Sequence, residues 1–325
     1  MLYEDRVYGP VEIDATVLLD LMHSAALQRL RGVYQHGITG LLGITNPLSR
    51  FEHSVGAMLL VRHLGASEAE QIAALLHDVS HTAFSHVADH VFAGPESYHE
   101  AVKAEYVAGT DLPDILARHG HDWHAFLHED AYPLLEQPAP ALCADRVDYF
   151  LRDSLDLGLG TPEQVRGAVK RLVVQDGRIM CDDLDTARWM ADAYLAAEDA
   201  SRSNYREAAL YELIARAIQL ALARGVLAPA DLWDTDRAVW DRLAAASDSE
   251  LQALLGLVST RTRFEQDAAA PDFWVSLKQR TLDPDVVQGG VAQPLSALDP
   301  AFAARRDAYL SAKAGRWPVR VIAAS

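Results

Sequence analysis

Three short stretches hold most of the residues able to do chemistry. In LLHDVSHTAFSH, residues 75–86, His77 and Asp78 stand side by side at the end of an apolar run. Burying such a pair is costly unless it is partnered or binds a metal. His81 follows His77 by four residues, which puts both on one side of a helix; His86 and His90 come next. FEHSVG, residues 51–56, adds His53 at what reads as a helix start, where a lone histidine is more often a cap or core residue than a ligand. CADRVDYFLRD, residues 143–153, adds Asp145, Asp148 and Asp153 among apolar neighbours. Asp145 lies near one helical face with Asp148 and Tyr149, three and four residues on. His53, His77, Asp78 and Asp145 together make a mixed nitrogen and oxygen donor set. It suits a divalent transition metal (Mn, Fe, Co, Ni or Zn) better than calcium, and with open positions it supports Lewis-acid hydrolysis. The bland alternative is a buried polar network without metal.

The elements that must position these groups are mostly helical. Leu18, Leu21, Met22, Ala25 and Leu30 recur at three- and four-residue steps, which predicts a helix over 14–35. A Gly-rich turn region, 36–47, separates it from a helix over about 50–64. Ser67 with Glu70 reads as a capping box opening a helix to about 81. Further helices are expected at 97–108, 141–157, 183–200, 205–225 and 229–258. Around Asp176-Gly177 the period changes to two strand-like runs, a hairpin signal over 170–182. FWVSLKQ (273–279) and PVRVIAA (318–324) are strand candidates. The fold class is therefore mainly α: a helical core over 1–260 carrying the hairpin, and a small α/β extension over 261–325 with no interpretable motif.

Bulk properties narrow the partners. The 325 residues carry 46 carboxylates against 29 basic side chains, a net charge of −17. That field disfavours non-specific binding to nucleic acid or anionic membranes. Only four of the basic residues are lysine, and arginine is the better bidentate partner for phosphate. Cys143 and Cys181 make no disulfide framework, the N-terminus is charged from Glu4, and no apolar run approaches a membrane span. A reducing, cytoplasmic setting is expected.

The motifs extend beyond the four donors. LQRLRGVYQHG, RFEHSVG, LLHDVSHTAFSH, YHE and DRVDYFLRDSLDLG, in this order over residues 5–225, resemble the HD-domain metal-dependent phosphohydrolases, and within them the dNTP triphosphohydrolase branch. The resemblance implies an HD-domain helical bundle with His53, His77, Asp78 and Asp145 as metal ligands, and magnesium as a further candidate on the substrate phosphates. It implies His81, His86 and His99 near the phosphates and leaving group, with His81 the first candidate for acid–base work. Gln35, Arg50, Arg146, Tyr149, Asp153 and Tyr205 would bind substrate: arginines the phosphates, Gln35, Tyr149 and Asp153 the sugar, Tyr205 the sugar or base. A nucleotide substrate and a homo-oligomer follow as expectations. The expected activity releases nucleoside and tripolyphosphate from deoxynucleoside triphosphates.

Departures leave alternatives open. Ala197 and Ala208 stand where that branch grips the distal phosphates with basic residues; Arg202 and Arg206 are nearby substitutes. If they do not serve, a phosphomonoester such as a nucleoside monophosphate becomes the substrate. A nucleotide-binding regulator with little turnover is the third reading. His119, His121, His124 and His128 in RHGHDWHAFLHED offer a helix-like metal spacing without apolar surroundings, and read as a solvated face.

Overall fold

The computed structural model describes residues 1–92, 94–277 and 279–322. Lys278 in the first strand candidate, and Ala323 and Ala324 in the second, lie outside the described residues. The chain opens with a hairpin, β1 (Leu2–Asp5) and β2 (Gly9–Glu12). The helix expected over 14–35 is broken into α1 (Thr16–Met22), α2 (Ala25–Arg29) and a 3₁₀ turn at Leu30–Gly32. The break is chemical: the Ser24 hydroxyl accepts from Leu27 N–H and starts a new helix.

After α3 (Gly37–Leu41) comes the central helix, α4 (Arg50–His63). A reciprocal capping box between Ser49 and Glu52 fixes its start. α4 buries Phe51, His53, Val55, Met58, Leu60 and Val61 against α5 (Glu68–Leu76) and α9 (Ala144–Asp156). Gly56 permits the α9 approach, because a Cβ there would come within 2.1 Å of Asp148 and Arg152. Ser67 caps α5, but Glu70 does not complete a capping box; its carboxylate accepts from Leu134 N–H.

α5 ends at Leu76, not near 81, and residues 77–86 run as turns. Long-range partners make that possible. Arg29 donates to the Val79 and His81 carbonyls at 2.9 and 2.7 Å. The Asp236 carboxylate accepts from Phe84 N–H and Tyr34 N–H. Phe84 and Ser85 both adopt positive φ, and the Phe84 carbonyl sits where a Cβ on Gly37 would be.

α6 (Val87–Val91), α7 (Tyr98–Ala108) and α8 (Leu112–Arg118) wall one side of the core, and α10 (Pro162–Val169) follows α9. The expected hairpin is present: β3 (Leu172–Gln175) and β4 (Arg178–Cys181) turn on Asp176 and Gly177, both with positive φ. α11 (Leu184–Ala200) and α12 (Tyr205–Ala223) match their predicted spans closely. The helix expected over 229–258 is divided into a 3₁₀ turn, α13 (Asp236–Ala245) and α14 (Ser249–Leu257), started by Thr235 and Asp248 caps.

The extension contains β5 (Arg263–Gln266), β6 (Phe273–Ser276), β7 (Asp285–Gln288), β8 (Val291–Pro294), α15 (Leu295–Leu298), α16 (Pro300–Lys313) and β9 (Arg316–Ile322). One sheet has the order β3-β4-β7-β8, with β4 and β7 parallel; the other is β5-β9-β6. Phe264, Phe273, Val275 and Val319 of the latter share a core with Leu210, Leu213 and Ile214 of α12. The architecture is a mainly helical bundle with small sheets, as the sequence pattern predicts. Among the described residues no helix is long and apolar enough to cross a membrane.

Candidate metal centre and substrate cleft

The capping box sets His53 one turn into α4, facing inward with no exposure. Its Nδ1 bonds the Asp148 carboxylate at 2.8 Å, and its Nε2 lies 2.9 Å from Asp145 Oδ1. His77 caps the C-terminus of α5, and its Nδ1 reaches the Ala74 carbonyl at 2.7 Å. A carbonyl only accepts, so His77 carries a proton on Nδ1, and its Nε2 lone pair points into the site. The Asp148 carboxylate imposes the same tautomer on His53. The two Nε2 atoms stand 3.2 Å apart. Asp145 Oδ1 is 3.5 Å from His77 Nε2, and Asp78 Oδ2 is 3.6 and 3.8 Å from the two imidazoles.

Two nitrogen lone pairs and two carboxylates cannot converge stably without positive charge between them. Burial opposes a charge on His53, but the bonds to Asp145 and Asp148 outweigh it and raise its pKa to about 9. Burial likewise opposes a charge on His77, which Asp78 and Asp145 push up. Burial would raise both carboxyls; Arg50, His77 and His81 hold Asp78 well below the usual range, and bonds to His53 and His77 do so for Asp145. The donor set thus fits a divalent metal: two oriented imidazoles, two ionised carboxylates, and a second layer that fixes the rings.

That second layer comes from distant parts of the chain. Asp148 also accepts from Arg152 Nε at 2.9 Å and from the Tyr8 hydroxyl at 2.9 Å; Arg152 Nη2 continues to Asp5 at 2.8 Å. The N-terminal hairpin therefore braces His53 through Asp148. Sequence reading noticed Asp148 on the Asp145 face but gave it no role; its one-turn spacing from Asp145 was the available signal.

His81, His86 and His99 form a second group. Their rings lie 3.7, 5.0 and 5.6 Å apart, with ring nitrogens within 4.8 Å. Because α5 stops early, His81 does not share the His77 face; its Nε2 lies 3.2 Å from the other Asp78 oxygen, Oδ1. Burial, Arg50 and His99 hold the His81 pKa well below the ordinary value. Burial, His86 and Arg50 hold His99 down to about 3. Both rings are neutral at neutral pH.

A cleft of about 250 Å³ opens beside these groups. Gln35, Arg50, His77, Asp78, His81, His86, His99, Asp145, Arg146 and Tyr149 line it, together with Glu100, Glu129, Glu136 and Arg280, which sequence reading missed. Asp153 is buried behind it, bonded to His36 at 2.9 Å and to Arg202 at 2.7 Å. Tyr205 stands apart: its hydroxyl donates to the Phe264 carbonyl and its ring stacks on Trp317. A second cavity of about 140 Å³, lined by His36, Arg202, Glu207, Ala208 and Tyr211, shares Gln35, His86 and Arg280 with the first. Burial pushes Glu136 up to about 7, with the Asp145 charge adding to it.

The family model described as the HD domain matches residues 50–153, the span from Arg50 to Asp153. A metal-dependent phosphohydrolase, cns2 of Cordyceps militaris, is 39% identical over 321 residues, 95% of this chain and 92% of that protein. A crystal structure of a phosphohydrolase from Bacteroides thetaiotaomicron, BT4208, superimposes with a TM-score of 0.77 at 19% identity, covering 98% of both chains. More distantly, a deoxynucleoside triphosphate triphosphohydrolase SAMHD1 homologue of Dictyostelium discoideum is 27% identical over 195 residues, 49% of this chain and 37% of that one.

Proposed function

The chain belongs to the HD-domain metal-dependent phosphohydrolases, and from that premise we propose that it hydrolyses a phosphomonoester, a nucleoside monophosphate or a related compound. The observation that carries this reading is the charge of the cleft. Beyond the metal centre two cations beside its wall are already engaged, Lys103 on Glu129 and Arg146 on Glu136, Glu100 adds a carboxylate, and Ala208 faces the neighbouring cavity. Arg202 is tied to Asp153 and Glu198, and Arg206 is exposed beside Tyr205. One phosphate near the metal ligands is well matched; two further phosphates would find Lys103, Arg146 and Arg202 already paired with carboxylates.

His53, His77, Asp78 and Asp145 would hold the metal, which when bound supplies Lewis acidity and a more acidic water. Arg50 spends Nε on Ser85 and Nη1 on Asp78, while its buried Nη2 has no partner, leaving a donor for a phosphate oxygen. His81, whose Nε2 lies 3.2 Å from Asp78 Oδ1, is the group placed to accept the proton from the attacking water, with the His99 ring stacked against it. Glu136, protonated for part of the time near neutral pH, is the cleft group able to pass a proton to the leaving oxygen.

A second reading, hydrolysis of deoxynucleoside triphosphates to nucleoside and tripolyphosphate, is favoured by the motif order over residues 5–225 and by the partial similarity to the Dictyostelium protein. One product analysis separates the two. The protein is loaded with Mn²⁺ and given nucleoside monophosphates, NTPs and dNTPs separately. Inorganic phosphate from monophosphates, with triphosphates untouched, is expected. Tripolyphosphate from dNTPs would replace the first reading with the second.

A further inference from the structure

We infer that Arg280, delivered by the C-terminal extension, is the arginine that grips the substrate phosphate. The inference rests on the phosphohydrolase reading and adds a specificity-determining residue to it. The argument starts with what the other arginines near the cleft are already doing. Arg146 gives Nη1 to the Ala141 carbonyl and Cys143, and Nη2 to Glu136 and the Gln137 carbonyl. Arg202 pairs with Asp153 and Glu198 and lies 4.2 Å over the Tyr149 ring. Arg50 keeps a single free nitrogen, Nη2. Each of the three serves the protein's own carboxylates first.

Arg280 differs. It lines both cavities, so it stands where they meet. Among the described residues it has no hydrogen bond and no ion pair within 4 Å. The groups acting on it most strongly are the Tyr149 phenol, the Glu198 carboxyl, the Tyr194 phenol and the Arg202 guanidinium, and the one carboxyl among them, Glu198, is already paired with Arg202. A half-buried guanidinium with a second cation, Arg202, nearby and no ion pair of its own among the described residues is short of compensating charge. A phosphate dianion compensates it and can accept two parallel N–H bonds.

The backbone that presents Arg280 is anchored on both sides. Val275 and Leu277 are buried before it. After it, Leu282 enters the main core, Asp283 N–H donates to the Pro140 carbonyl, the Asp283 carboxylate accepts from Ser296, and Thr281 Oγ1 accepts from Arg306. Pro140 lies between Glu136 and the first residue of α9, Ala144. The extension is thereby fastened to the segment that leads into the Asp145 helix, and the loop between β6 and β7 carries Arg280 to the cleft.

The test compares Arg280→Ala, Arg280→Lys and, as control, Arg166→Ala on the surface of α10, all with Mn²⁺ bound. With a nucleoside monophosphate as substrate, Arg280→Ala lowers kcat/KM about a hundredfold, and Arg280→Lys recovers roughly tenfold of it. Added guanidinium restores part of the alanine variant's rate, while metal content and melting temperature stay at the wild-type level. Inhibition by inorganic phosphate weakens in parallel. Wild-type kcat/KM and phosphate inhibition in Arg280→Ala would overturn the inference. If the wild type turns over no phosphomonoester, the phosphomonoesterase reading fails by itself. Arg280 is then judged by calorimetric binding of orthophosphate and tripolyphosphate to the metal-loaded protein: a loss of about tenfold or more in Arg280→Ala supports it, and equal affinity sinks it.

Discussion

LLHDVSHTAFSH and RHGHDWHAFLHED look alike as strings: histidines beside aspartates at short spacings. In the folded chain they have little in common. His77 is buried, its Nδ1 is occupied by Ala74, and its Nε2 meets His53 Nε2. In the other stretch three of the four histidines find their own carboxylates near the surface: His119 with Asp20, His121 with Glu68, His124 with Asp122. Residues 123–126 form a 3₁₀ turn, so His124 and His128 do not share a helical face. A metal site requires a second layer that turns several lone pairs onto one point in a place water does not fill. Histidine density supplies neither.

The largest expected effect breaks the first region outright. Asp145→Ala removes a donor that faces both imidazoles, and phosphate release falls by about a thousandfold or more. Metal content measured on the same preparation falls with it; retained metal and activity would remove Asp145 from the site. Asp148→Asn sharpens the contrast, since it spares every donor and alters only what orients His53. Metal affinity drops about 10- to 100-fold, read by chelator competition. The change also leaves Arg152 with one buried carboxylate in place of two, so a lower melting temperature accompanies it.

His99→Gln probes the neutral cluster. The folded protein holds His99 near 3, whereas the unfolded chain binds that proton near 6.5. The unfolded state therefore binds more protons across this window, and stability rises with pH from about 3 to 6.5 and is lost on acidification. The variant flattens this slope by up to about 1.4 kcal/mol per pH unit, seen in denaturant melts at a series of pH values. An unchanged slope would mean that His99 is already protonated in the fold. The smallest effect belongs to the second region. His124→Ala and His128→Ala leave metal content and turnover unchanged and move stability by no more than about 0.5 kcal/mol; loss of metal in either would erase the distinction drawn between the stretches.

Legibility followed the range of the interactions. The periodic helices α4, α9, α11 and α12 and the Asp176-Gly177 hairpin are local patterns, and their predicted spans agree with the structure. The early end of α5 was not legible, because Arg29 and Asp236 stabilise the turns after Leu76 from far away in the chain. The caps at Ser24, Thr235 and Asp248 were present in the sequence but hidden inside stretches whose apolar period continued across them.

The sequence by itself determined the chemistry available: imidazole and carboxylate donors at the ends of apolar runs, where only a partner or a cation makes burial tolerable. Tertiary structure alone decided how that chemistry is aimed. Asp148 fixes the His53 tautomer across 95 residues of chain. The N-terminal hairpin braces Asp148 through Tyr8 and Asp5, and the extension brings Arg280 into the cleft. No spacing rule reaches such pairs, because a hydrogen bond depends on where two atoms lie in space and carries no record of the chain between them.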